Sequence, residues 1–229
     1  MVSSKVPVIT IDGPSGSGKG TICLRLAEEL GWHLLDSGAM YRTLAYAAQQ
    51  HDVAFDNEQA LTVLAENLDV QFIIAEKNEP PRIIFEGVDI TDVIRTEKTG
   101  AIASKLAAYD SVRKALVERQ RAFREAPGLV TDGRDMGTTI FPDAKLKIFL
   151  MASPVERAKR RYKQLLDKGV NVKLAPLIDE ITERDNRDKQ RSASPLKIAD
   201  DAVIIDTTDL SIEDVMQRVR AEVKARRLV

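Results

Sequence analysis

The stretch Gly13-Pro14-Ser15-Gly16-Ser17-Gly18-Lys19-Gly20-Thr21 (GPSGSGKGT) decides how this chain reads. Before it runs a continuous β-rich apolar segment, Val6 to Ile11; after it Ile22, Leu26, Ala27 and Leu30 recur at helical spacing between Thr21 and Leu30. The order is strand, glycine-rich loop, helix. Glycine accepts the dihedrals that turn successive backbone N–H groups toward one anion, and the helix N-terminus adds partial positive charge. Lys19 supplies a full charge. The phosphate-loop pattern G-x-x-x-x-G-K-[ST] is met at Gly13, Gly18 and Lys19, but glycine stands at position 20 and the hydroxyl follows at Thr21. Thr21 is therefore a candidate for a metal ion, directly or through water, with helix capping and nucleotide contact as alternatives.

Outward from the loop, the apolar pattern alternates between strand and helix. Trp32 to Leu35 reads as a second buried strand, and Asp36-Ser37-Gly38 suits a helix start ahead of Met40, Leu44, Ala45 and Ala48. The rhythm then breaks. A helix over Asn57 to Asn67 precedes two β-like runs, Val70 to Ala75 and Arg82 to Phe85, joined by the turn-rich Lys77-Asn78-Glu79-Pro80-Pro81. This predicts a small inserted subdomain over about residues 40–105, with antiparallel pairing. Helices at Glu97 to Ala107 and Ser111 to Glu125 follow, then strands at Leu129 to Thr131, Leu146 to Met151 and Ala202 to Asp206, and a closing helix from Ser211 to Arg227. Such alternation predicts an α/β fold around a doubly wound parallel sheet.

Composition narrows the function classes. The 229 residues carry 34 Lys+Arg against 35 Asp+Glu, a net charge of −1, so the global positive field of a nucleic-acid or membrane-surface binder is missing and any anion site is local. Cys23 stands alone, which excludes an internal disulfide and fits a reducing compartment. No stretch approaches the roughly 18 apolar residues of a membrane span. The expectation is a cytoplasmic monomer that acts on small molecules.

Three further clusters suit anion chemistry. Leu174, Leu177, Ile178 and Ile181 repeat at i, i+3, i+4, i+7, and Arg184, Arg187, Asp188 and Arg191 continue at the same intervals. Forked guanidiniums match phosphate and a carboxylate accepts from sugar hydroxyls, although the same spacing also suits a solvated face laced with i, i+4 pairs. Arg157, Arg160 and Arg161 cluster similarly; with the polar segment Asp167 to Lys173 between the two, they read as a lid bringing cations over a transferring phosphoryl group. Asp132-Gly133-Arg134-Asp135 follows a predicted parallel strand, where polar residues point into the ligand crevice, and Asp36, Ser37, Tyr41 and Arg42 sit at the equivalent end of the second strand.

Taken together, GPSGSGKGT, DSGAMYR at 36–42, TDGRDMGTTIFPDA at 131–144 and ERDNRDKQR at 183–191 resemble the bacterial cytidylate kinases, in matching order over nearly the whole chain. The resemblance implies a three-layer P-loop NTPase-type fold with a nucleoside-monophosphate-binding insert and a helical lid. It divides the chain into a core (1–39, 106–152, 192–229), the insert (40–105) and the lid with acceptor-binding helices (153–191). It also implies transfer from ATP, with Mg²⁺, to CMP or dCMP. Residue by residue, ATP would lie on positions 13–21, with Lys19, Arg157, Arg160 and Arg161 acting on the phosphoryl in flight. Ser104, Arg113 and Asp135 would read cytosine; Arg42, Arg134 and Arg191 would hold the acceptor phosphate; Arg184 and Asp188 would hold the sugar. Ser37, Tyr41 and Asp132 complete the expected CMP site. The rival reading is a kinase of a hydroxylated metabolite, with Asp36 as the base that such an acceptor needs.

Overall fold

Five strands form a parallel sheet in the order β2-β6-β1-β7-β8: β1 (Val8–Asp12), β2 (His33–Asp36), β6 (Leu129–Gly133), β7 (Leu146–Met151) and β8 (Val203–Asp206). Most of their apolar residues are buried, as a helix-covered parallel sheet requires: Val8, Ile9, Ile11, Leu35, Val130 and Leu150 are inaccessible to solvent, while Met151 and Ile204 are exposed. The computed structural model describes residues 6–74, 81–167, 169–190 and 194–228. The expected turn at Lys77 to Pro80 lies outside them.

The chain divides into two compact units, Met1–Val8 with Cys23–Asp132, and Ile9–Ile22 with Gly133–Val229. In the first, β2 runs parallel to β6 with Asp36 opposite Asp132, and the Leu129 N–H donates to the Pro7 carbonyl at 3.0 Å. Helices α2 (Ser37–Gln50), α3 (Glu58–Glu66), α5 (Glu97–Leu106) and α6 (Asp110–Ala122) pack in pairs, α2 on α5 and α3 on α6. A second sheet, antiparallel as expected, joins β3 (Val70–Ile73), β4 (Arg82–Phe85) and β5 (Val88–Asp89), with Val70 opposite Phe85. β5 and the single turn α4 (Thr91–Ile94) were not expected, because two and four residues are too short to show a period.

In the second unit β1 pairs with β7 and β7 with β8, both in parallel register. Here lie the glycine-rich loop, the start of α1 (Lys19–Leu30), the antiparallel pair α7 (Pro154–Asp167) and α8 (Leu174–Gln190), and the closing α9 (Ile212–Ala225). The expected stripe on α8 faces α7. Leu177 is buried with Ala158 and Leu165, and Leu174, Ile178 and Ile181 pack against them. Strand ends extend by one or two residues to Asp12, Asp36 and Gly133, because the ladders continue through polar positions, Asp12 opposite Phe149 for example. Helix ends follow their caps: Asn57 and Ser211 accept from N–H groups three residues on and stand outside their helices.

Candidate active site

The loop after β1 is built to present amides. Gly13 has φ +148°, and a Cβ there would lie 2.0 Å from the Leu150 carbonyl oxygen, so the chain can leave the sheet only with glycine at this position. Three of the loop's carbonyls accept from side chains of the protein itself. Pro14 O accepts from the Lys19 ammonium at 2.7 Å and the Ser17 hydroxyl at 3.0 Å. Ser15 O accepts from Arg157 Nη1 at 3.0 Å, and Ser17 O from the Thr207 hydroxyl at 3.2 Å. With its oxygens engaged from behind, the loop offers an anion its N–H groups, the helix dipole and the Lys19 charge. Lys19 and Ser17 are buried, Ser15 and Gly18 half-buried, and Gly16, Gly20 and Thr21 exposed.

Of the arginines expected in a lid, Arg157 is 1 % exposed and turned inward. Besides Ser15 O it donates through Nε to Ala152 O at 2.9 Å and grips both carboxylate oxygens of Asp185. Arg160, half-buried, donates through Nη1 to the Thr207 hydroxyl at 3.1 Å and through Nη2 to the Thr207 carbonyl, so it supports the same segment that caps Ser17 O. Arg161 is half-buried, with Gln164 3.5 Å from its Nη1.

The DGRD segment is fixed by a residue that the sequence reading passed over. The N–H groups of Met136 and Gly137 donate to the two oxygens of Asp12, at 2.9 and 2.8 Å. Beyond them Met136–Ile140 forms one π-type turn, closed by Phe141 N–H to Met136 O at 2.7 Å, a distortion often found at functional sites. Burial lifts the Asp12 pKa to about 6; the two amides hold it down, neighbouring Asp135 raises it further, and Lys19 opposes the rise. Asp135 is 4 % exposed, and Arg134 donates through Nε to Asp188 on α8 at 2.7 Å. On α8 Arg184 is half-buried, Arg187 exposed, and Asp185 and Asp188 buried. Arg191 lies outside the described residues.

The remaining expected residues belong to the first unit. Arg42 on α2 donates through Nη1 to Ile94 O at 2.9 Å and Thr96 O at 2.8 Å. Arg113 on α6 is buried, with its guanidinium 5.8 Å from the centre of the Tyr41 ring, within cation–π range. Ser37 begins α2, Ser104 is half-buried on α5, and Asp132 is buried near the end of β6. Asp36, the rival reading's base, accepts the Ala39 N–H at 2.9 Å and caps α2. Trp32 is buried over Gly128 and Cys23 is buried, both as packing residues.

Mg²⁺ keeps several waters and takes one or two protein oxygens plus substrate phosphates, so it needs no cage of carboxylates. Among the described residues no group of three or more His, Cys, Asp or Glu forms such a cage. The exposed Thr21 hydroxyl on the first turn of α1, beside a phosphate-binding loop, fits that ion's needs. Among the described residues no helix is long and apolar enough to cross a membrane.

Comparison with known proteins gives one answer. The family model described as cytidylate kinase matches residues 9–225. The chain is 60% identical over 228 residues to the cytidylate kinase of Pseudomonas entomophila (strain L48), covering 100% of both. It is 61% identical over 223 residues to that of Stutzerimonas stutzeri (strain A1501), covering 97% of both, and 60% identical over 218 to that of Pseudomonas aeruginosa (strain UCBPP-PA14), covering 95% of both. From β1 to the last residue of α9, the chain belongs to the cytidylate kinase family.

Proposed function

We propose that the protein transfers the γ-phosphoryl group of ATP to CMP or dCMP, giving ADP and CDP or dCDP, with Mg²⁺ as the divalent ion. The carrying observation is the loop at 13–21, in which the Pro14, Ser15 and Ser17 carbonyls accept from Lys19, Ser17, Arg157 and Thr207, an arrangement that suits a loop turning amides toward phosphate. A phosphate acceptor is already ionised at neutral pH, so the reaction needs no general base. Catalysis is positioning and charge stabilisation.

In this reading Lys19 and the loop amides hold the donor phosphates, and Thr21 would hold Mg²⁺, directly or through water. When bound, the ion neutralises charge on the β- and γ-oxygens. Arg160, half-buried, and Arg161 act on the phosphoryl in flight, whereas Arg157, 1% exposed and held at both terminal nitrogens by Asp185, supports the loop. Arg42, Arg134 and Arg191 offset anion repulsion at the acceptor, Ser37, Tyr41 and Asp132 also bind CMP, and Arg184 and Asp188 hold the sugar. Ser104, Arg113 and Asp135 read the base. Cytosine offers an amino donor to the Asp135 carboxylate, whereas uracil would set a carbonyl against it; such a mismatch costs a few kcal/mol, or about 10²-fold in kcat/KM. The insert at 40–105, the lid at 153–191, a monomeric state and a cytoplasmic location complete the proposal.

A coupled ADP-release assay with ATP, Mg²⁺ and each of CMP, dCMP, UMP, AMP and GMP tests it. The expected order is strong turnover with CMP and dCMP, weak with UMP, and none with purines or without acceptor. Equal rates with every acceptor, or silence with CMP, would overturn it.

A further inference from the structure

Helix α8 sends two carboxylates inward one turn apart, and they go to different places. Asp188 receives Arg134 of the DGRD segment at 2.7 Å. Asp185, three residues earlier, receives both terminal nitrogens of Arg157, the Nη1 bond at 3.0 Å. The same Nη1 donates to the carbonyl of Ser15, inside the phosphate loop, at 3.0 Å. The stem of Arg157 also packs close to Gly16. Gly16 has φ +77°, and a Cβ there would stand 3.2 Å from the Arg157 Cβ. Arg157 and Asp185 are 1% and 7% exposed, so neither is a surface pair of negligible worth, and neither presents a free face to a ligand.

We infer that Asp185 is a positioning residue for the donor site: through Arg157 it fixes the Ser15 peptide, and hence the direction of the loop's amides, although its helix also carries the acceptor residues Arg184 and Asp188. The physical reason is orientation. A guanidinium free to rotate would let the Ser15–Gly16 peptide turn its oxygen toward the incoming phosphate, and bidentate pairing with Asp185 holds the fork in the plane that reaches Ser15 O. The division of labour along α8 therefore follows side-chain direction: Asp185 serves the ATP loop, Asp188 the acceptor segment.

The inference rests on the proposed donor and acceptor assignments, and its test separates the two. AMP-PNP binding to the free protein, followed by calorimetry without any acceptor, reads the loop alone; CMP turnover reads the functional proposal. In Asp185→Asn the expected result is a fall in AMP-PNP affinity of about tenfold or more and a similar rise in KM for ATP, with KM for CMP within about twofold of the parent. Asp188→Asn gives the opposite split. Circular dichroism checks that each variant is folded; should Asp185→Asn not fold, Arg157→Lys, which keeps the charge but loses the fork, reads the same loop. Unchanged AMP-PNP affinity in a folded variant, or an equal rise in both KM values, overturns the inference. Absence of CMP turnover in the parent protein would instead overturn the functional proposal and leave the binding measurement decisive for Asp185.

Discussion

Lys19 holds its ammonium 2.7 Å from the carbonyl of Pro14, in its own loop, so its charge is already parked at the mouth of the amide nest before any phosphate arrives. Lys19→Met removes that charge but keeps an unbranched stem of similar length. Turnover is expected to fall by about 10²-fold or more, with the unfolding midpoint nearly unchanged; steady-state kinetics beside a thermal melt check this. Asp12 makes a prediction of a different kind. Its pKa in the folded protein is raised to about 6 from the ordinary aspartate value of 3.8, because burial outweighs the two amides that bond it. A raised carboxyl pKa means the folded protein binds more protons than the unfolded chain between those values. The Asp12 contribution to stability therefore falls as pH rises from about 4 to about 6, by roughly 1.4 kcal/mol per unit, and is constant above. Urea unfolding of the parent and Asp12→Asn across that range measures it as a pH-dependent difference between the two; a flat difference contradicts the assignment. Neither the Asp12 latch nor the Asp185–Arg157 pair was legible in the sequence. Asp12 bonds residues 124 and 125 positions away and Asp185 one 28 away, and local periodicity carries no trace of such partners.

At the scale of elements, the reading succeeded where a pattern is local and repeats. The glycines at 13, 16 and 18 all adopt positive φ, and strand, loop and helix follow in the expected order. Leu174, Leu177, Ile178 and Ile181 mark the apolar face of α8 because their spacing is the helix's own. The reading failed where tertiary partners decide. For the ridge of Arg184, Arg187, Asp188 and Arg191, the spacing gave no sign that Asp188 pairs with Arg134 while Arg187 stays exposed. The π-type turn at Met136–Ile140 was invisible for the same reason: its opening amides are held by Asp12 from another strand. The small cluster of Leu177, Ala158 and Leu165 joins α7 to α8. Leu177→Ala is expected to cost about 2 to 4 kcal/mol, visible as a lower urea midpoint with an unchanged slope.

For the whole molecule, the near-neutral charge and the local clusters of arginine point the same way: anions are met at built sites, each backed by carboxylates or carbonyls of the protein. Selectivity for the pyrimidine is expected to reside in Asp135, so Asp135→Ala should narrow the CMP-to-UMP ratio of kcat/KM by about tenfold or more, chiefly by loss with CMP. Equal loss with both nucleotides would remove Asp135 from the reading of the base. The central claim concerns the fate of the phosphoryl group, and ³¹P NMR of the protein with ATP, Mg²⁺ and CMP follows it directly. The account predicts ADP and CDP growing in equal amounts with no inorganic phosphate. ADP accompanied by inorganic phosphate, or CMP left unchanged as ATP is consumed, would contradict it.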